Sequence, residues 1–235
     1  AIQDFNIHIH LLNSLSENFI HSFLNYKDFR TDHSPFFFSF LSFINLPFEE
    51  TKFLFNKTDS YHLRTLIEYG NAYTGLRLLY LHICLLIPVI FYQCLIIKYK
   101  DCNKNILIIL SCLILLSPYF RSYAIWAGET NLALLFLLTS ILFFIKLKNE
   151  KNINKIYLFI FFNVLFFALA AHSRPIYCLI AIYFFYKIFS KFGLGKELVL
   201  FLLTNILLAM PAFYYFFILD NYPFILYINF FYNPT

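Results

Sequence analysis

Charge is what this sequence has least of. Of its 235 residues only 13% are Asp, Glu, Lys or Arg, against 60% hydrophobic. Soluble domains carry about 25% charge, so a water-solvated globule is excluded and the composition points to an integral membrane protein. Glycine is scarce as well, at 5 residues, which excludes glycine-rich linkers and collagen-like sequence. The 5 cysteines fall at 84, 94, 102, 112 and 178 without a close pair. That spacing supports neither a disulfide framework nor a zinc site. The sequence contains no P-loop, HExxH, GxSxG or GxGxxG pattern, so a nucleotide-dependent enzyme has no support. The net charge is +5, but its basic residues are dispersed between apolar runs. They read as topology signals and not as a nucleic-acid surface.

What the sequence does have is long apolar runs. A spanning helix needs about 20 predominantly apolar residues. Six segments qualify, at 76–97, 104–123, 129–147, 155–173, 175–191 and 197–219. Lys98, Lys100 and Lys104 follow the first. Lys146, Lys148, Lys151 and Lys155 follow the third, and Lys187, Lys191 and Lys196 close the fifth. The intervening connections carry only Arg121 and Arg174. The positive-inside rule makes the lysine-rich loops cytoplasmic. Residues 1–75 then form a first non-cytoplasmic loop and 76–235 a membrane bundle. A chain starting outside implies a further span before Ala1 and a longer parent protein. With a bacterial source, the expected site is the inner membrane, with the active face in the periplasm.

The first loop is patterned. Leu11, Leu12, Leu15, Phe19 and Phe23 recur at helical spacing among polar residues, which predicts an amphipathic surface helix. Ser34 and Pro35 are an N-cap and a first helical residue for PFFFSFLSFIN. That helix is too short to span and is expected to lie in the interface or dip in and return. The expected fold is therefore all-α and polytopic, with about six transmembrane helices plus interfacial helices.

Ionisable groups other than lysine cluster on the outer side: Asp4, His8, His10, Asp28, Arg30, Asp32, His33, Arg121, Glu129, His172 and Arg174. Near a membrane such a cluster is read as functional by default. Arg121 and Arg174, at neighbouring outer mouths, are candidates to clamp a phosphate in bidentate fashion; the alternative is that each anchors its helix at the interface. Asp4 and His8, four residues apart, share one face if helical. They suit base and orienter, or two metal ligands, or are simply solvated. Asp32 and His33 either cap the helix that follows or belong to the same outer site. His82, Gln93, Asn163 and Asn205, within spans, are expected to bond between helices. Asn56-Lys57-Thr58 is a glycosylation sequon that matters only in a eukaryote.

In chain order there is an acid at Asp4, a surface helix, "DHSP" at 32–35, an outer turn "SPYFRSYAIWAGETNLALLF" and a later "SRP". This order resembles the GT-C superfamily of membrane glycosyltransferases, in particular the branch of protein O-mannosyltransferases and lipid A aminoarabinose transferases. The resemblance covers roughly residues 1–190. It implies transfer of a sugar from a polyprenyl-phosphate donor to a lipid, glycan or protein acceptor on the non-cytoplasmic face. It makes Asp4 the catalytic acid-type residue. Arg121, Arg174, His33 and Arg30 become donor-phosphate contacts, and Asp32, His8, Glu129 and His172 further candidates. In some members the acid helps hold a metal, so a divalent ion is the one cofactor it allows. The sequence departs from the pattern at two points: Asp4 is followed by Phe5 instead of a second acid, and Glu129 stands one residue before the family's usual Asp. The competing classes are a transporter or flippase of lipid-linked saccharides, which would bring inverted repeats and mid-membrane charges, and a non-catalytic membrane subunit.

Overall fold

The computed structural model describes residues 35–45 and 74–217, and among these every regular element is helical. Helix α1 is Pro35–Asn45, the segment that Ser34-Pro35 predicts. Next come α2, Thr74–Cys84, and α3, Leu86–Lys98. These two form one 25-residue stretch, interrupted only at Leu85. The cause is Pro88, which has no N–H to give and whose ring collides with the carbonyl four residues earlier, at Cys84. α4 is Lys104–Cys112, prolonged by a 3₁₀ turn, Leu113–Leu116, and followed by α5, Pro118–Ile125. α6 is Glu129–Asn149 and α7 is Ile153–Ser173. A 3₁₀ turn, Pro175–Leu179, leads into α8, Ile180–Phe192, and α9 is Lys196–Phe217.

Among the described residues, five helices are long and apolar enough to cross a membrane. The segment expected as a single span over 104–123 is instead broken, with its halves bent by 67°. Ser117 explains the break. A residue before proline is pushed out of the α region, and Ser117 sits at φ −63°, ψ 120°. Its hydroxyl then accepts from the Phe120 N–H at 3.3 Å, capping α5. Up to the break α4 and its 3₁₀ turn rise only about 21 Å, short of the ~30 Å hydrocarbon core.

Helix α6 is the centre of the molecule. Its first half joins α1, α2 and α5 in one apolar cluster with Phe37, Phe38, Leu76, Tyr80 and Leu132, all essentially inaccessible. Its second half joins α7, α8 and α9 in another, with Ile160, Val164, Phe184 and Ile188. α1 is therefore not only a surface helix. Phe37 meets Tyr80 edge-on at 6.3 Å, and Phe36 and Phe40 both lie on Phe136 of α6. The reason is its run of large rings, which bury 150–250 Å² each when packed.

Polar contacts set helix register. Midway along α6 and α7, the Ser140 hydroxyl donates to the Asn163 carbonyl at 2.9 Å. The Asn163 amide in turn donates to Ser140 O and Oγ at 3.0 and 2.9 Å. Of the four in-span polar residues, Asn163 thus bonds between helices as expected. His82 and Asn205 instead contact carbonyls of their own helices, Leu78 and Phe201. At the end of the bundle where the lysines gather, Lys191 Nζ donates to the Leu147 and Lys148 carbonyls, closing the C-terminus of α6. The Glu150 carboxylate accepts from the Lys151 and Asn152 amides. The outward faces are apolar: Ile176, Ile182, Leu207 and Leu116 are each more than 60% exposed.

Candidate functional site

The opposite end of the bundle is built around the turn from α5 to α6. Trp126-Ala127-Gly128 makes this turn in three residues, with Ala127 in the left-handed region at φ 47° and fully buried. A side chain there is strained by roughly 1–2 kcal/mol, so the neighbours must hold the turn. Gly128 N donates to Tyr123 O at 2.7 Å. The Tyr80 hydroxyl, reaching from α2, donates to Gly128 O at 2.6 Å. Asn131 Nδ2 donates to Phe120 O at 2.9 Å. Arg77 donates from Nε to Ile125 O at 3.0 Å and lays its guanidinium 4.1 Å above the Trp126 ring, a cation–π contact. Glycine is required at 128 by close approach: a Cβ there would lie 1.9 Å from the Tyr123 ring.

The turn delivers Glu129 into the first turn of α6, where the helix dipole favours an acid. The Glu129 side chain is only 4% exposed and its Oε1 lies 2.9 Å from Arg174 Nε. This is a close charge contact, not an aligned hydrogen bond. Arg174 Nη2 donates to the Thr130 hydroxyl at 2.9 Å. Arg174 caps α7 at φ −136°, ψ 99°, the extended conformation imposed by Pro175 after it. Its N–H still closes the helix on Ala170 O. The guanidinium is thus clamped along one edge, while 31% of the side chain stays exposed. Such a group is an oriented anion receptor.

Of the residues singled out in the sequence, the structure joins Glu129 and Arg174. It shows no contact between Arg121 and Arg174: the Arg121 side chain is exposed on α5 and makes no ion pair or hydrogen bond among the described residues. His172 is near in sequence but turned away, its Nε2 contacting Leu208 O of α9 at 2.8 Å and its ring 6.1 Å from Phe36. Asp4, His8, Arg30, Asp32 and His33 lie outside the described residues. Among the described residues no group of three His, Cys, Asp or Glu is placed to hold a metal ion. Sequence reading passes over Arg77, Tyr80 and Thr130. Arg77 was the most legible, since an arginine this near the start of an apolar span is costly unless used. Tyr80, one of 18 tyrosines, carries no local signal.

No protein-family model matches the chain, and neither a curated protein nor a solved structure does.

Proposed function

We propose that this chain is a polytopic membrane glycosyltransferase that moves a sugar from a polyprenyl-phosphate donor to a lipid, glycan or protein acceptor. Five apolar helices among the described residues, with apolar outward faces, support membrane insertion, lipid being the fitting solvent for such faces. The lysine end is cytoplasmic by the positive-inside rule, so the Glu129–Arg174 end faces the periplasm of a bacterial inner membrane. The observation that carries the reading is the Arg174 guanidinium, fixed by a buried carboxylate and a hydroxyl on a side chain that is 31% exposed. It lies at the non-lysine end, where a lipid-borne phosphate would sit. A cation held in advance stabilises the charge that develops on a departing phosphate.

In the reaction, Asp4 takes the proton of the acceptor hydroxyl. The acceptor oxygen forms a bond to the anomeric carbon as the bond from that carbon to the phosphate oxygen breaks, with inversion. Polyprenyl phosphate leaves, its negative charge met by Arg174, with Arg121, Arg30 and His33 as further contacts. The separation of ionisable groups to the two ends, with a neutral Ser140–Asn163 pair between α6 and α7, favours this over a transporter, whose charges would sit near the midplane.

The test is turnover of a panel of polyprenyl-phosphate sugars by the full-length protein in lipid nanodiscs, read as release of polyprenyl phosphate. The expected result is transfer from at least one donor, lost in Asp4→Asn and reduced about tenfold or more in Arg174→Lys, which keeps charge but loses the planar fork. Absence of release from every donor would overturn the proposal, and wild-type turnover by Asp4→Asn would remove Asp4 from it.

A further inference from the structure

At the same end of the bundle as the clamped guanidinium, α5 carries an aromatic pair with no part in the scheme above. Tyr119 lies in the first turn of α5 and is 55% exposed. One face of its ring is stacked on Tyr123, with centroids 4.3 Å apart and planes at 32°. Tyr123 is itself held tightly, its ring packed where a Cβ of Gly128 would be and its carbonyl accepting from the Gly128 amide at 2.7 Å. α5 is pinned to the start of α6 by the Asn131 bond to Phe120 O, next to Tyr119 in the chain. Tyr177 follows on the other side, its N–H bonding Arg174 O at 3.0 Å. A tyrosine serving only to anchor a helix in the interface needs no rigid backing. This one has a supported inner face and is 55% exposed, on a helix bonded at Phe120 to Asn131, next to the Thr130 that Arg174 contacts.

We infer that the exposed ring of Tyr119 is the surface on which the pyranose of a lipid-linked sugar stacks, while Arg174 meets its phosphate. The inference rests on the donor class proposed above. The chemistry is that of a half-apolar ligand. One face of a pyranose presents C–H groups, and a flat ring with a polar edge suits it, offering contact area at low conformational cost. Tyr123 keeps Tyr119 from rotating away, and the Tyr119 and Tyr177 hydroxyls are available to sugar hydroxyls.

The experiment is equilibrium binding of two radiolabelled ligands to the full-length protein in nanodiscs: polyprenyl-phosphate sugar and the same polyprenyl phosphate without sugar. Tyr119→Leu keeps an apolar side chain but removes the ring, and Tyr119→Phe keeps the ring. Stacking predicts that the leucine variant binds the sugar-bearing ligand about tenfold more weakly, the scale of an aromatic contact. It binds the sugar-free ligand like the wild type, and the phenylalanine variant stays within about twofold on both. Equal loss for both ligands would overturn the inference in favour of membrane anchoring. Unchanged binding of the sugar-bearing ligand by the leucine variant would overturn it outright, leaving the donor class intact. Failure of the wild-type protein to bind either ligand would remove the donor class and the stacking surface together.

Discussion

The Glu129–Arg174 contact predicts an asymmetry between its two partners. Arg174→Met strips the guanidinium from a carboxylate that is only 4% exposed. Breaking a buried pair in this direction costs about 3–5 kcal/mol, because the remaining charge keeps its desolvation penalty. Glu129→Gln works the other way. It leaves an arginine whose side chain is 31% exposed, so water replaces much of what is lost, and the amide oxygen remains an acceptor near Nε. The expected cost is about 0.5–1.5 kcal/mol. The double variant, with neither charge, should be more stable than Arg174→Met alone, giving a coupling of roughly 2–3 kcal/mol in a double-mutant cycle. The assay is equilibrium unfolding in mixed micelles, followed by the fluorescence of Trp126, the one tryptophan in the chain. Additive costs, or a glutamine variant at least as damaging as the methionine one, would show that the carboxylate does not depend on this cation, and the account of the site would fail with it.

Two further outcomes follow from neighbouring features. Gly128→Ala places a Cβ 1.9 Å from the Tyr123 ring and should cost about 1–3 kcal/mol through overpacking, measured in the same unfolding assay. At the other end, backbone hydrogen bonds from Asn152 and Lys151, helped by Lys155 and Lys191, hold the Glu150 carboxyl below the usual carboxylate range. A depressed folded value means its contribution is complete above the unfolded carboxylate range and is lost as pH falls through the folded one. Hydrogen exchange at Lys151 and Asn152 should therefore be faster in Glu150→Gln than in the wild type at neutral pH, and the difference should vanish in acid. A difference that persists in acid would exclude the carboxylate as its source.

The sequence was most legible where the signal is local. The Ser34-Pro35 pair starts a helix at Pro35, and the apolar runs from Glu129 onward become helices close to their expected bounds. The same dipeptide chemistry at Ser117-Pro118 was masked by the apolar residues around it. Hydropathy averaged over a window sees one span, whereas the backbone at Ser117 makes two pieces. The site was half legible. Arg174 and Glu129 each stand out as charges at the mouths of apolar runs. Their contact depends on α6 and α7 packing antiparallel, and no spacing rule reports that. Arg121 is equally conspicuous in sequence, but its side chain is exposed on α5 without an ion pair or hydrogen bond among the described residues. The acid and basic residues of the first loop, Asp4 to His33, lie outside the described residues.

The reciprocal bonds between Ser140 and Asn163 limit how this molecule can move. Sliding α7 past α6 by one turn would break all three at once, in surroundings with no water to replace them. Tilting the two helices together breaks none. The α6–α7 hairpin is therefore bound to move as one piece, tied at one end by Lys191 and carrying Glu129 and Arg174 as a unit at the other.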